Sequence, residues 1–169
     1  MGKIFLYYGT GAGKTTNALG LALRCVGHGL KAVIIQFMKG RKDIGEYLIR
    51  ERLAPNYEIY QFGRDGWINL HNPSDEDRRL AHKALEKARE VLREKPHLLV
   101  LDEICLAAYI GLIDVDEVLK LLDEVPEETD VVLTGRFCPS ELIDRADIVN
   151  MIVEVKAPKR IYTRLGITH

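Results

Sequence analysis

Residues 4–16 read Ile4-Phe5-Leu6-Tyr7-Tyr8-Gly9-Thr10-Gly11-Ala12-Gly13-Lys14-Thr15-Thr16. An apolar run of strand length enters a glycine loop, and a helical pattern begins near Lys14. Backbone N–H groups of such a loop converge on phosphate oxygens. The helix start adds the positive end of its dipole. Lys14 supplies a mobile cation, and the Thr15 hydroxyl is a Mg²⁺ ligand in loops of this kind. The segment therefore predicts nucleoside triphosphate binding. The usual pattern is G-x-x-x-x-G-K-[ST], but Tyr8 stands at its first glycine position. Gly9 comes one residue late, which leaves a shortened G-x-x-x-G-K-T.

The rest of the chain extends this start. Six apolar runs follow strand length: Ile4–Tyr8, Ala32–Phe37, Tyr57–Phe62, Leu98–Leu101, Asp130–Thr134 and Ile148–Val155. Helical patterns lie between most of them. The first spans Lys14–Val26, with Gly27 or Gly29 as its stop. The clearest is Ser74–Arg93, where Ser74 and Asp77 form a capping box. Leu80, Ala84, Leu85, Ala88, Val91 and Leu92 make its apolar stripe, and its charged residues lie largely off that stripe. Asp114–Val125 and Pro139–Ala146 are shorter. Strands alternating with helices imply a parallel sheet covered on both faces. The irregular segment 63–73 is long for a compact domain, and loops of that length commonly carry function.

Size and charge narrow the options. With 169 residues, one domain over residues 1–169 is the simplest organisation. A net charge of −1 gives no reason to expect nucleic acid as the partner. Basic clusters at Lys39, Arg41, Lys42 and at Lys156, Lys159, Arg160, Arg164 read as solvated faces. No apolar run is long enough for a membrane span, and no signal peptide is read at the start. Cys25, Cys105 and Cys138 are far apart without a C-x-x-C, as expected of reduced thiols in a cytoplasmic protein.

The second half of a nucleotide site is also legible. Leu98–Leu101 ends in Asp102-Glu103, and ligands of open parallel sheets sit at the carboxyl ends of strands. Alone, such a pair is often a helix cap. Beside a glycine loop, Asp102 and Glu103 read as carboxylates that reach Mg²⁺ next to Thr15. Another strand ends in Thr134-Gly135-Arg136. Arg136 is either a surface arginine or a contact for the triphosphate.

These motifs together resemble the ATP:cob(I)alamin (corrinoid) adenosyltransferases of the P-loop type. The matching pieces are the shortened loop with Thr16, Arg24-Cys25-Val26-Gly27-His28-Gly29, and Gln36-Phe37-Met38-Lys39-Gly40 with Gly45-Glu46. Leu101-Asp102-Glu103, Thr134-Gly135-Arg136 with Asp144-Arg145-Ala146-Asp147, Val155-Lys156 and Leu165-Gly166-Ile167 complete the match. The similarity runs nearly the whole length. It implies an α/β fold, P-loop NTPase-like (RecA-like), with a mostly parallel sheet flanked by helices in three layers.

The resemblance also implies unusual chemistry. Members let a Co(I) corrinoid attack C5′ of Mg-ATP, giving an adenosylcorrinoid and tripolyphosphate, in cobalamin biosynthesis or salvage. ATP lies reversed relative to other P-loop enzymes. Carried over by residue, Gly9, Thr10, Gly11, Ala12, Gly13, Lys14, Thr15 and Thr16 form the ATP loop. Thr15, Asp102 and Glu103 hold Mg²⁺, while Lys14, Glu103 and Arg136 act on the leaving group. Lys39, Gln36 and Glu46 lie in a matching segment without an assigned role.

Two departures stand out. The family's Gly-Phe-x-Trp, whose aromatics press on the lower corrinoid face, reads here Gly63-Arg64-Asp65-Gly66-Trp67. Trp67 matches the tryptophan, and Phe62 or Tyr60 is left to substitute for the phenylalanine. Trp67 reads equally as a partly buried loop anchor. The glycine loop also starts close to Met1, without the N-terminal extension of many relatives, so a lid is expected either from residues 41–52 or not at all. A homodimer and a reductase supplying Co(I) are the expected protein partners. Two other readings stay open at this point. One is an ATPase or kinase acting at the γ-phosphorus, and the other is a non-catalytic corrinoid- or ATP-binding module.

Overall fold

Runs rich in Val, Ile and Leu favour extended backbone, and runs without alternation favour strands buried on both faces. The computed structural model, which describes residues 1–66, 68–160 and 162–168, has that form. Its strands are β1 (Ile4–Tyr8), β2 (Ala32–Phe37), β3 (Tyr57–Phe62), β4 (Leu98–Asp102), β5 (Asp130–Gly135) and β6 (Ile148–Met151). They form one sheet in the order β3-β2-β4-β5-β1-β6, and every neighbouring pair is parallel. The helices are α1 (Lys14–Gly27), α2 (Gly45–Leu48), α3 (Arg50–Leu53), α4 (Asp75–Glu94), α5 (Ile104–Tyr109), α6 (Val115–Asp123) and α7 (Ser140–Arg145). This is the expected three-layer α/β, P-loop NTPase-like arrangement. No helix among the described residues is long and apolar enough to cross a membrane.

Strand side chains alternate between the faces, so the sheet has a core on each. On one face, Ala18, Ala22 and Cys25 of α1 pack with Ile34, Val100 and Val132. On the other, α4 to α7 cover Val33, Ile35, Leu99, Leu101, Val131 and Leu133. The small residues of α1 bring its axis close to the strands and set the glycine loop above the sheet edge.

The structure revises several element boundaries. The last strand ends at Met151, and all four of its residues are exposed because β6 is an edge with a partner on one side only. Beyond it, Ile152 N donates to Tyr8 O at 2.7 Å and Gly11 N donates to Ile152 O at 2.9 Å, so the chain turns across the glycine loop. Helix α5 had no readable pattern. Ile104 to Ala108 are all buried, so it carries no polar face to mark a period. In α4 the buried face includes Asp77 and Ala81, whereas Leu80 is only half-buried.

Helix α4 begins at a complete capping box. Asp77 N donates to Ser74 Oγ at 3.2 Å, and Ser74 N donates to Asp77 Oδ2 at 2.9 Å. Arg64 adds a bidentate pair, Nε to Oδ1 at 2.9 Å and Nη2 to Oδ2 at 3.0 Å. The Arg64 guanidinium, with the Ser74 hydrogen bonds, holds the buried Asp77 carboxyl down to about 2. One aspartate thus ties the segment after β3 to the start of α4. A depressed folded-state pKa contributes stability above the unfolded value, lost as pH falls through the folded one. Asp77→Ala is predicted to cost about 1–2 kcal/mol. The wild type should lose stability relative to this variant between about pH 4 and pH 2, measured by urea melts across that range.

Candidate functional site

Strands β2, β4, β5 and β1 are neighbours, so their carboxyl ends form one continuous edge. The glycine loop leaves β1 there, Asp102 and Glu103 close β4, and Thr134-Gly135-Arg136 close β5. Gly9 and Gly13 have positive φ, 118° and 108°, a backbone region open to glycine. A Cβ on Gly9 would also strike the Ile152 backbone, so this glycine serves the packing of the 152–154 segment as well. Gly9 N donates to Arg136 O at 3.2 Å, and Gly11 N is taken by Ile152. Lys14 folds back over the loop, Nζ donating to Gly11 O at 2.7 Å. Burial lowers the Lys14 pKa; nearby Glu103 opposes that shift and Arg136 reinforces it. Arg136 itself is exposed at the edge of the site.

Asp102 is the centre of this edge. It is fully buried, and burying a carboxylate is tolerated only with charge and hydrogen bonds around it. Its Oδ1 accepts from Thr15 Oγ1 at 2.8 Å and Thr134 Oγ1 at 2.7 Å. Its Oδ2 accepts from Gln36 Nε2 at 3.1 Å and Lys39 Nζ at 2.6 Å. Those four bonds occupy the acceptor sites of an ionised carboxylate. Burial pushes the Asp102 pKa up, but the Lys39 charge and these donors outweigh it and hold it low. Burial likewise opposes the charge on Lys39, and Asp102 and Glu103 together hold its pKa above the ordinary lysine value.

Glu103 is the opposite case. It adopts φ 66°, a region that L side chains rarely take. Its N–H donates to Thr134 Oγ1 at 2.9 Å, which fixes the turn. Its Oε2 is buried without a hydrogen-bond partner. Burial, and then the Asp102 charge, raise its pKa. An unpartnered buried carboxylate oxygen is costly unless something else binds it. Thr15, Asp102 and Glu103 offer hard oxygen donors, which suit Mg²⁺. No cluster of three His, Cys, Asp or Glu that could hold a metal exists among the described residues. Mg²⁺ needs no such cage, since it keeps several waters and binds through one or two carboxylates plus phosphates.

A cavity of about 800 Å³ begins at Thr15, Thr16 and Lys39. It runs between α1 and the α2–α3 segment, with Leu19, Leu23, Ile49 and Leu53 among its walls. Glu46 lines it, and its Oε1 accepts from Gln36 at 3.3 Å. Residues expected to supply a lid therefore wall this cavity. Leu19 and Leu23 were not singled out in the sequence. Their i, i+4 spacing, off the Ala18–Ala22–Cys25 face, is the signal that could have found them. Thr134 was read only as a neighbour of Arg136, yet it bonds both carboxylate residues.

The two expected corrinoid contacts fall differently. Phe62 pairs in register with Phe37 and packs against the core on the α4 side, away from the cavity walls. Trp67 lies outside the described residues. Its neighbours Arg64 and Gly66 line the cavity. Cys105 is buried, and a hydrogen bond with Cys138, followed by burial, pushes its thiol well above the ordinary range. All three cysteines are free thiols, as expected.

Comparison with known proteins gives the family. A family model described as "ATP:corrinoid adenosyltransferase BtuR/CobO/CobP" matches residues 1–169. A corrinoid adenosyltransferase of Sinorhizobium sp is 37% identical over 162 residues, covering 94% of this chain and 75% of that protein. A corrinoid adenosyltransferase of Escherichia coli (strain K12) is 31% identical over 156 residues, 92% of this chain and 78% of its own. The corrinoid adenosyltransferase CobA of Salmonella typhimurium gives the same 31% over 156 residues, with the same coverage. A family model that matches the whole chain, with relatives 31–37% identical over 92–94% of it, leads to one conclusion: the chain belongs to the ATP:corrinoid adenosyltransferase family.

Proposed function

We propose that this chain transfers the 5′-deoxyadenosyl group of ATP to the cobalt of a reduced corrinoid of the cob(I)yrinic acid a,c-diamide or cob(I)alamin class. The Co(I) electron pair attacks C5′, the C5′–O bond breaks, and its electrons leave on intact tripolyphosphate. Co(I) is itself a strong nucleophile, so no protein base is required. The protein's work is to align C5′ with cobalt and to stabilise charge on the leaving group. The loop N–H groups that remain free hold the triphosphate, with Lys14 and Arg136 as its cations. Thr15, Asp102 and Glu103 would hold Mg²⁺, which supplies further positive charge there. The proposal includes a single nucleotide-binding domain, a homodimer, a cytoplasmic setting and a separate reductase that delivers Co(I).

The observation that carries this reading is the position of the cavity. In ordinary P-loop enzymes the end of the loop marked by the Thr hydroxyl and the strand carboxylate holds the terminal phosphate. Here that end opens into a cavity within the usual size range for small-molecule sites, whose walls combine Leu19, Leu23, Ile49 and Leu53 with Arg41, Glu46 and Arg64. A reversed ATP would place its ribose and C5′ at that mouth. The segment carrying Arg64 and Gly66 lines the same cavity, which supports Trp67 as a corrinoid contact.

The test combines the protein, Mg-ATP and a chemically reduced corrinoid without oxygen. The expected products are a light-sensitive Co–C corrinoid and tripolyphosphate. Orthophosphate release without corrinoid alkylation would instead support γ-phosphoryl chemistry, and tight corrinoid binding without turnover would support a binding module. Lys14→Ala is expected to lower kcat/KM by about 10²–10³-fold, the scale for losing one charge-stabilising group. Activity near wild type would show that the ATP site is misassigned. Trp67→Ala should slow reaction from Co(II) more than from pre-reduced Co(I), and equal losses would contradict a lower-face role. Phe62→Ala should mainly cost stability, about 2 kcal/mol by chemical denaturation, with a smaller effect on turnover.

A further inference from the structure

Lys39 lies just beyond β2, on a backbone built to aim it. Met38 takes φ 59°, a left-handed turn that few non-glycine residues adopt. A Cβ on Gly63 would strike the Met38 and Lys39 backbone, and one on Gly40 would strike Gly63 and Arg64. The segments after β2 and β3 thus pack backbone against backbone, and this contact fixes where the Lys39 side chain starts. Its ammonium reaches Asp102 Oδ2 at 2.6 Å and Thr15 Oγ1 at 3.2 Å. These are two of the three residues assigned to the metal. Lys39 also lines the cavity, so the ammonium has an open path toward bound ligand.

We propose that Lys39 is a built-in competitor of the divalent cation, which holds the Thr15 and Asp102 oxygens before ligand binds and moves to the triphosphate when metal and nucleotide enter together. The inference rests on the reading of Thr15, Asp102 and Glu103 as the cation site. Two cations cannot share one pair of oxygens in a buried setting without strong repulsion. Metal alone must displace Lys39 from Asp102 and leave its charge with only the nearby Glu46 and the metal-bound Glu103 to offset it. Metal with ATP gives the displaced ammonium a polyanion within reach, where its three donors are satisfied. The site therefore loads metal and nucleotide jointly. In that position Lys39 is a further ligand of the leaving group, beyond Lys14 and Arg136.

Mn²⁺ binding to the full-length protein, read by electron paramagnetic resonance, tests this. Without nucleotide, Lys39→Gln should bind Mn²⁺ about tenfold more tightly than wild type, an ordinary size for coupling between competing ligands. Lys39→Arg keeps the charge and should stay within about threefold of wild type. With ATP and no corrinoid, Lys39→Gln should bind the metal–nucleotide pair more weakly than wild type. Equal or weaker Mn²⁺ binding by nucleotide-free Lys39→Gln would overturn the inference. Should that variant fail to fold, the ¹⁵N signal of the wild-type Lys39 ammonium, assigned through Lys39→Arg, decides. It should shift on adding Mg-ATP, and an unmoved signal would overturn the inference. A wild type that binds no Mn²⁺ even with saturating ATP would defeat the cation-site reading itself, a distinguishable outcome.

Discussion

The site depends on one buried charge. Asp102 sits at the end of a central strand with no access to water, so its carboxylate must be neutralised and hydrogen-bonded by protein. Its four donors come from four places: Thr15 on α1, Gln36 on β2, Lys39 in the segment after β2, and Thr134 on β5. Removing one partner of a buried ion pair costs on the order of 3–5 kcal/mol. That penalty holds the glycine loop, β2 and β5 in mutual register without any ligand. Glu103, next in sequence, donates its backbone N–H to Thr134 Oγ1, but its buried Oε2 accepts no hydrogen bond. Asp102 is fully hydrogen-bonded by protein, and Glu103 beside it keeps a buried oxygen without a hydrogen-bond partner.

Much of this was legible because the signals are local. Each strand core reads directly as a run of apolar residues, and the Ser74–Asp77 box marks the start of α4. Where the signal depends on tertiary context, the reading fell short. Helix α5 is buried along its length and shows no period. The final strand stops at Met151 because the chain is pulled across Gly9 and Gly11, a contact that no pattern in residues 148–155 encodes. Phe62 is one of two residues left to substitute for the phenylalanine of the family's Gly-Phe-x-Trp. Its register beside Phe37 packs it, partly buried, against the core on the α4 side.

The site divides in the same way. Lys14, Thr15, Asp102, Glu103 and Arg136 are candidates legible from spacing and from their places at strand ends, and the fold brings them to one sheet edge. The roles of Asp102 and Lys39 needed coordinates, because a carboxylate with every acceptor position filled and one with an orphaned oxygen look alike in sequence. The glycines carry a similar lesson. Gly9 and Gly11 read as phosphate-loop residues, but their N–H groups bond Arg136 and Ile152, and their missing side chains admit the 152–154 backbone. The shortened loop is therefore a packed loop as well as a cradle, with the cavity opening at its Thr15 end.

The central claim is that the bond broken lies at carbon rather than phosphorus. ATP labelled with ¹⁸O at the oxygen joining C5′ to the α-phosphorus tests it most directly. The protein, Mg²⁺ and a Co(I) corrinoid would be reacted without oxygen, and the phosphate product weighed by mass spectrometry. The account predicts that the label leaves in tripolyphosphate, because C5′–O is cleaved. Label retained on the nucleoside, with orthophosphate as the product, would contradict it.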